Sequence, residues 1–133
     1  VQAYQLTSVD IAKALVDAKR RGVNVKVILD KSQYNTKRYS SALFFDHMGI
    51  PVWIDNKPAI AHNKIIILND GEIITGSYNF SKAAQNRNAE NLLIIKSKVL
   101  AKTYTINFQQ RLSASLSLSS YEKFKKEKTL KTQ

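Results

Sequence analysis

Five residues of this chain have side chains suited to catalysis and lie close together in sequence: His62, Lys64, Ser77, Asn79 and Glu90. His62 and Lys64 are two positions apart, as are Ser77 and Asn79, so on a strand the members of each pair share a face. Between the pairs lies Asn69-Asp70-Gly71, and Asp-Gly flanked by apolar runs predicts a tight hairpin. With a two-residue loop of Asp70 and Gly71, Asn69 faces Glu72, Lys64 faces Ser77 and His62 faces Asn79. Directly opposed residues hold their Cβ atoms about 4.5–5.5 Å apart on one sheet face. An imidazole, an ammonium, a hydroxyl and a carboxamide would then share a phosphate-sized patch, which a one-residue slip would scatter.

Phosphodiester chemistry wants these groups. Lys64 offsets charge on non-bridging oxygens, and Ser77 and Asn79 donate hydrogen bonds to them. Gly76 leaves the backbone room beside a ligand. An imidazole such as that of His62 can attack phosphorus or protonate a leaving oxygen. Glu90 could hold the imidazole tautomer, as the carboxylate of a triad does. In-line displacement also needs an acid on the far side of phosphorus. The only other histidine, His47, reads as an ordinary cation-capable residue at a helix end. A second copy of the chain would supply the missing acid.

Alone, His62 in an apolar run would read as a hydrogen-bonded core residue; its opposed donors favour a site. Asp30 and Asp55 at strand ends suggest Mg²⁺, but no further acidic cluster accompanies them. No metal and no cofactor are expected. Tyr78 and Phe80, and also Tyr34, are aromatic candidates for stacking on bases beside the site. Trp53 and Phe44-Phe45 read as core.

The 133 residues carry 21 Lys and Arg against 10 Asp and Glu, a formal charge of +11. That excess draws polyanions: nucleic acid first, an anionic membrane surface second. Cysteine is absent, which removes disulfides, thiolate metal sites and a cysteine nucleophile. No apolar run is long enough to span a bilayer. The chain opens directly into a strand-like run, Val1 to Leu6, from which upstream sequence with an export signal is expected.

The elements that must position these residues follow from periodicity. Thr7 or Ser8 caps a helix over Val9 to Arg21 with Ile11, Ala12, Leu15, Val16 and Ala18 on one face, stopped by Gly22. Val23 to Asp30 reads as a buried strand, Arg38 to Met48 as a second helix, and Ile50 to Asp55 as a strand. Strand, helix, strand, helix, strand argues for a parallel-containing α/β sheet. Ile60 to Leu68 and Glu72 to Tyr78 form the hairpin. Ser81 to Asn88 is a turn or short helix, Asn91 to Ile95 a strand, and Lys98 to Leu112 an amphipathic helix with Leu100, Ala101, Tyr104, Phe108 and Leu112 inward. Residues 113–133, Ser-rich and then Lys-rich, read as a loosely held tail with a secondary polyanion contact at most. Residues 1–112 form one domain.

His62-x-Lys64, Gly76-Ser77-x-Asn79 and Asn88-Ala89-Glu90-Asn91 together resemble the HKD motif of the phospholipase D superfamily, in particular its single-motif bacterial Nuc-type endonucleases. The resemblance runs from Val1 to Leu112 and includes Ala14-Leu15 and Lys19-Arg20-Arg21-Gly22-Val23. It implies a mixed β-sheet flanked by helices and a homodimer with its active site at the interface. It implies metal-independent hydrolysis through a phosphohistidine. By position, His62 would be nucleophile in one subunit and general acid in the other, Lys64, Ser77 and Asn79 would hold phosphate, and Glu90 would orient His62. It also implies a periplasmic, membrane-associated or secreted location. The chain departs from the pattern at Asn69, where the motif has Asp, and in lacking a first strand and helix ahead of Val1. In the hairpin, Asn69 falls at the turn, facing away from His62 and Lys64.

The expected activity is cleavage of DNA, and secondarily RNA, with little sequence preference, because backbone contacts carry no base code. A narrow site favours single strands. The rival expectations are a phospholipase, disfavoured by the lack of an amphipathic surface helix or apolar lid, and a non-catalytic nucleic-acid-binding relative.

Overall fold

The computed structural model describes residues 1–132. Its strands are β1 (Gln2–Ala3), β2 (Val27–Asp30), β3 (Val52–Asp55), β4 (Lys64–Leu68), β5 (Glu72–Gly76), β6 (Leu92–Lys96) and β7 (Leu116–Ser117). The helices are α1 (Val9–Arg20), α2 (Ser41–His47), α3 (Lys82–Asn86), α4 (Lys98–Ala114) and α5 (Leu118–Leu130), with a 3₁₀ turn at Lys31–Gln33. Each α-helix starts on a serine, Ser8, Ser40, Ser81, Ser97 and Ser117, whose hydroxyl accepts from a backbone N–H of the first turn. Such caps satisfy amides that the helix itself leaves unpaired.

The strands form one mixed sheet ordered β6-β5-β4-β1-β2-β3-β7. β1, β2 and β3 are parallel, as the strand–helix alternation predicts. β4 joins β1 antiparallel, and β5 and β6 continue antiparallel. Pleat alternation divides the core between two faces. Ala3, Val27, Leu29 and Ile54 pack with Ala12 and Val16 of α1, Phe45 of α2 and Tyr121 of α5. Ile65 and Ile73 pack with Ala101 of α4. Asp55, almost fully buried, is gripped by Arg111 of α4 through two hydrogen bonds of 2.8 and 2.6 Å. This pairing occupies Asp55 as a structural anion.

Three expectations need correction. The hairpin loop has three residues, not two: Leu68 pairs with Glu72 and Ile65 with Thr75. Gly71 adopts φ +91, a left-handed conformation open to glycine, which adds the third residue and shifts the register by one. Second, the strands are shorter than their periodicity predicts. His62 precedes β4, and Ser77 to Asn79 follow β5, because Gly76 turns the chain there at φ +146. Any Cβ at Gly76 would fall 2.0 Å from the Asn91 carbonyl oxygen.

Third, the segment after Leu112 is not loose but packed as far as Tyr121, and the last residue of the expected tail, 133, lies outside the described residues. Leu116 and Ser117 pair antiparallel with Ile54 and Trp53. Leu118 and Tyr121, three apart on a helix and therefore on one face, are buried in the larger core. The serine-rich composition hid this, since Ser117 is the cap of α5 and Ser115 the cap of α4.

Candidate active site

The parallel strands β1, β2 and β3 end, and β4 begins, at the same edge of the sheet. That edge holds the candidate residues. The segment leading into β4 is tied down from β2: Lys31 Nζ donates to the Pro58 carbonyl at 2.9 Å, and Asp30 Oδ1 accepts from the Ala61 amide at 2.8 Å. Asp30 Oδ2 accepts from Ser32 at 3.0 Å. Asp30 is thus a structural clamp on the His62 segment.

His62 is exposed, and its ring leans on Tyr4 with centroids 4.8 Å apart. Tyr4 is fixed alongside because its amide donates to the Asn63 carbonyl at 2.8 Å. Lys64, first residue of β4, is 8 % exposed and donates from Nζ to the His62 carbonyl at 2.9 Å. The same ammonium lies 5.6 Å from the centre of the Tyr4 ring, within reach of a cation–π attraction. Burial lowers the pKa of Lys64 from the ordinary lysine value, and the charge of Glu90 works against that fall. A desolvated ammonium at the site edge is suited to take up an anion.

A second group comes from the chain beyond β5. Ser77 donates from Oγ to Glu90 Oε2 at 2.5 Å and accepts at Oγ from the Asn91 amide at 2.9 Å. Asn88 donates to the other carboxylate oxygen of Glu90 at 3.2 Å. Glu90 therefore holds Ser77 and Asn88. Among the described residues no hydrogen bond joins the imidazole to Glu90, Ser77 or Asn79. Asn79 is half-buried, and its Oδ1 is buried without a partner. Its neighbour Phe80 donates its amide to the Gln5 carbonyl at 3.1 Å, which places Asn79 beside the Tyr4-Gln5 extension of β1.

The site is thus assembled across β1 rather than by the opposed pairs expected of the hairpin. His62 and Lys64 share Tyr4, Lys64 feels Glu90, Glu90 holds Ser77, and Asn79 adjoins the β1 extension through Phe80. Phe80 is only 2 % exposed and belongs to the core, so it cannot stack on a base. Tyr78 is half-buried with its hydroxyl on Gln85. Tyr4, in direct contact with both His62 and Lys64, was missed by sequence reasoning. Its signal was the alternation through Val1 to Leu6, which carries a strand past Ala3 toward the site. Sequence reasoning offers Asp30 only as a candidate metal ligand. Among the described residues no group of three or more His, Asp or Glu gathers as a metal site would require.

Residues 1–112 match the family described as "Cardiolipin synthase, PLD-like domain". A Rickettsia felis protein named phospholipase D is 42% identical over 115 residues, covering 86% of this chain and 57% of that protein, so the chain spans little more than half of it. Two solved structures are similar. Nuc from Salmonella typhimurium, a phospholipase D family member, has TM-score 0.80 and 39% identity over 87% of this chain and 78% of its own. NucT from Helicobacter pylori has TM-score 0.79 and 26% identity, over 88% of this chain and 79% of its own.

Proposed function

The chain belongs to the phospholipase D superfamily, and from that premise we propose that it is a nuclease whose complete site forms between two copies of itself. The observation that carries the reading is the sheet edge where exposed His62 and buried Lys64 stand near the Ser77–Glu90 pair. In the proposed reaction, an imidazole nitrogen of His62 attacks phosphorus, forming a P–N bond as the P–O bond to the leaving group breaks. The leaving oxygen takes a proton from the His62 of a second copy. Water then attacks phosphorus, the P–N bond breaks, and the water's proton passes to that second imidazole. Lys64 and the Asn79 amide bind non-bridging oxygens. Ser77 joins them once its proton turns from Glu90 to phosphate.

Support for pairing comes from β6, a sheet edge that carries Leu92, Leu93 and Ile94 exposed, Ile94 at 63 %. An uncovered apolar edge strand is a template for another chain. It follows directly on Glu90 and Asn91, so a partner seated there would lie against the candidate residues. The charge of +11 favours nucleic acid over neutral lipid as substrate.

The test is cleavage of matched single- and double-stranded oligonucleotides by EDTA-treated protein. Cleavage is expected for wild type and is abolished by His62→Ala with binding retained. Turnover restored only by Mg²⁺, or undiminished in the variant, overturns the mechanism. Cleavage of phosphatidylcholine vesicles with oligonucleotides left intact would instead favour the phospholipase activity for which the Rickettsia relative is named.

A further inference from the structure

We infer that α5 is a docking arm for the backbone of a long nucleic acid, feeding it toward the catalytic edge. The helix lies beyond residues 1–112, the region matched by the family, and the reaction proposed above makes no use of it. It carries Lys123, Lys125, Lys126 and Lys128, with Lys131 at its C-cap, against Glu122 and Glu127. Among the described residues none of these lysines has an ion-pair partner; the pairs are Arg20–Asp17, Lys96–Glu72 and Arg111–Asp55. The charges are therefore free to meet an external anion.

Position gives the arm a direction. α5 starts next to Ser117, which pairs with Trp53 in the middle of β3. One turn later Tyr121 packs edge-on against Tyr34, with ring centroids 5.3 Å apart, and burial together with the nearby Glu122 charge raises the Tyr34 pKa. Tyr34 follows directly on the turn after Asp30, and Asp30 clamps Ala61, the residue before His62. The helix thus climbs from mid-sheet to the edge that bears the site. From Lys123 onward every described residue is exposed, so the helix leaves the body of the protein there. At about 1.5 Å per residue, Lys128 lies roughly 10 Å past Tyr121, the span of a few nucleotides of backbone.

The chemistry of the arm fits a phosphate backbone better than a bilayer. A helix that lies in a membrane surface presents a broad apolar face. Here the apolar residues past Tyr121 are Phe124 and Leu130. Phe124 is stacked on Tyr121 and covered by the Lys128 ammonium at 5.7 Å. Lysines all around an exposed helix instead suit a flexible polyanion that wraps it, by release of condensed counterions.

The inference rests on the nuclease reading for the identity of the polyanion, and the experiment separates the two. Long and dinucleotide single-stranded DNA would be titrated into the 133-residue His62→Ala chain and into the same chain with K123Q/K125Q/K126Q/K128Q, following fluorescence anisotropy over a range of salt. Glutamine keeps helix propensity close to that of lysine, and far-UV circular dichroism checks the fold. The long strand should bind about tenfold or more weakly to the glutamine variant, with a log K against log salt slope shallower by up to about 3. The dinucleotide should bind equally to both, and four Lys→Arg changes should restore the long strand. Equal affinity of both proteins for the long strand overturns the inference, as does selective loss of binding to phosphatidylglycerol vesicles. Absence of cleavage by the wild type would fail the nuclease reading alone, since anisotropy still decides the arm.

Discussion

Asp30 Oδ1 accepts a hydrogen bond from the Ala61 amide at 2.8 Å, one residue before His62. A carboxylate at the end of one parallel strand thereby fixes the segment that carries the candidate nucleophile into β4. Asp30→Ala would leave a buried N–H unpaired, at a cost of about 1–3 kcal/mol. It should also lower kcat by roughly a hundredfold, because small displacements of reacting groups are expensive. Asp30→Asn keeps an acceptor oxygen and should recover most of the rate. Thermal melts with kinetics on both variants provide the check, and equal losses in kcat would rule out a positioning role.

Lys64 sets an alkaline limit. Burial disfavours its ammonium form, so its pKa in the folded protein lies below that of a free lysine. As pH rises through that lowered pKa, the ammonium is lost and kcat/KM should fall earlier than an ordinary lysine would dictate. The stability sign is opposite. The unfolded chain binds the proton more tightly, so this residue's contribution to folding stability improves as pH climbs toward the unfolded value. Glu90→Gln removes the charge that props the ammonium up and should move the alkaline limb to lower pH in a pH–rate profile.

The exposed β6 edge offers a direct test of pairing. Leu93→Glu with Ile94→Lys places charges on a strand that is apolar and uncovered. Both side chains are more than half exposed already, so stability of the isolated chain should change by no more than about 0.5 kcal/mol. Sedimentation should show a shift from dimer to monomer together with loss of turnover. A monomer at full rate would show that one copy suffices.

Asn69→Asp restores the acid that the family motif carries. Asn69 sits in the turn at the far end of β4 from Lys64, about 16 Å away at roughly 3.3 Å per residue. Oligonucleotide cleavage should change by less than about threefold, and a hundredfold gain would show that the turn communicates with the site.

Tyr121 is 5 % exposed in the larger core. Tyr121→Ala should destabilise by about 3 kcal/mol through the cavity it leaves, read as a shift of the urea midpoint. A change under 0.5 kcal/mol would mean that residues 116–130 are held far less firmly than their packing implies.

Sequence reading alone yields the α/β class, the parallel start of the sheet with its antiparallel hairpin, and the candidate residues for the site. Those follow from local rules: hydrophobic period, serine caps, the Asp-Gly turn and the spacing of His62-x-Lys64 and Ser77-x-Asn79. Register was decided only in three dimensions. Two- and three-residue loops share the same Asp-Gly dipeptide and differ in whether Asn69 joins the turn ahead of Gly71. The role of Tyr4 and Asp30 was equally hidden, because each meets the His62 segment through contacts between strands distant in sequence. Residues 113–132 carry too weak a local signal to be read as structured. Leu116, Leu118 and Tyr121 become core only when β3 and Tyr34 are already in place beside them, and burial is a property of the assembled sheet, not of the residues that fill it.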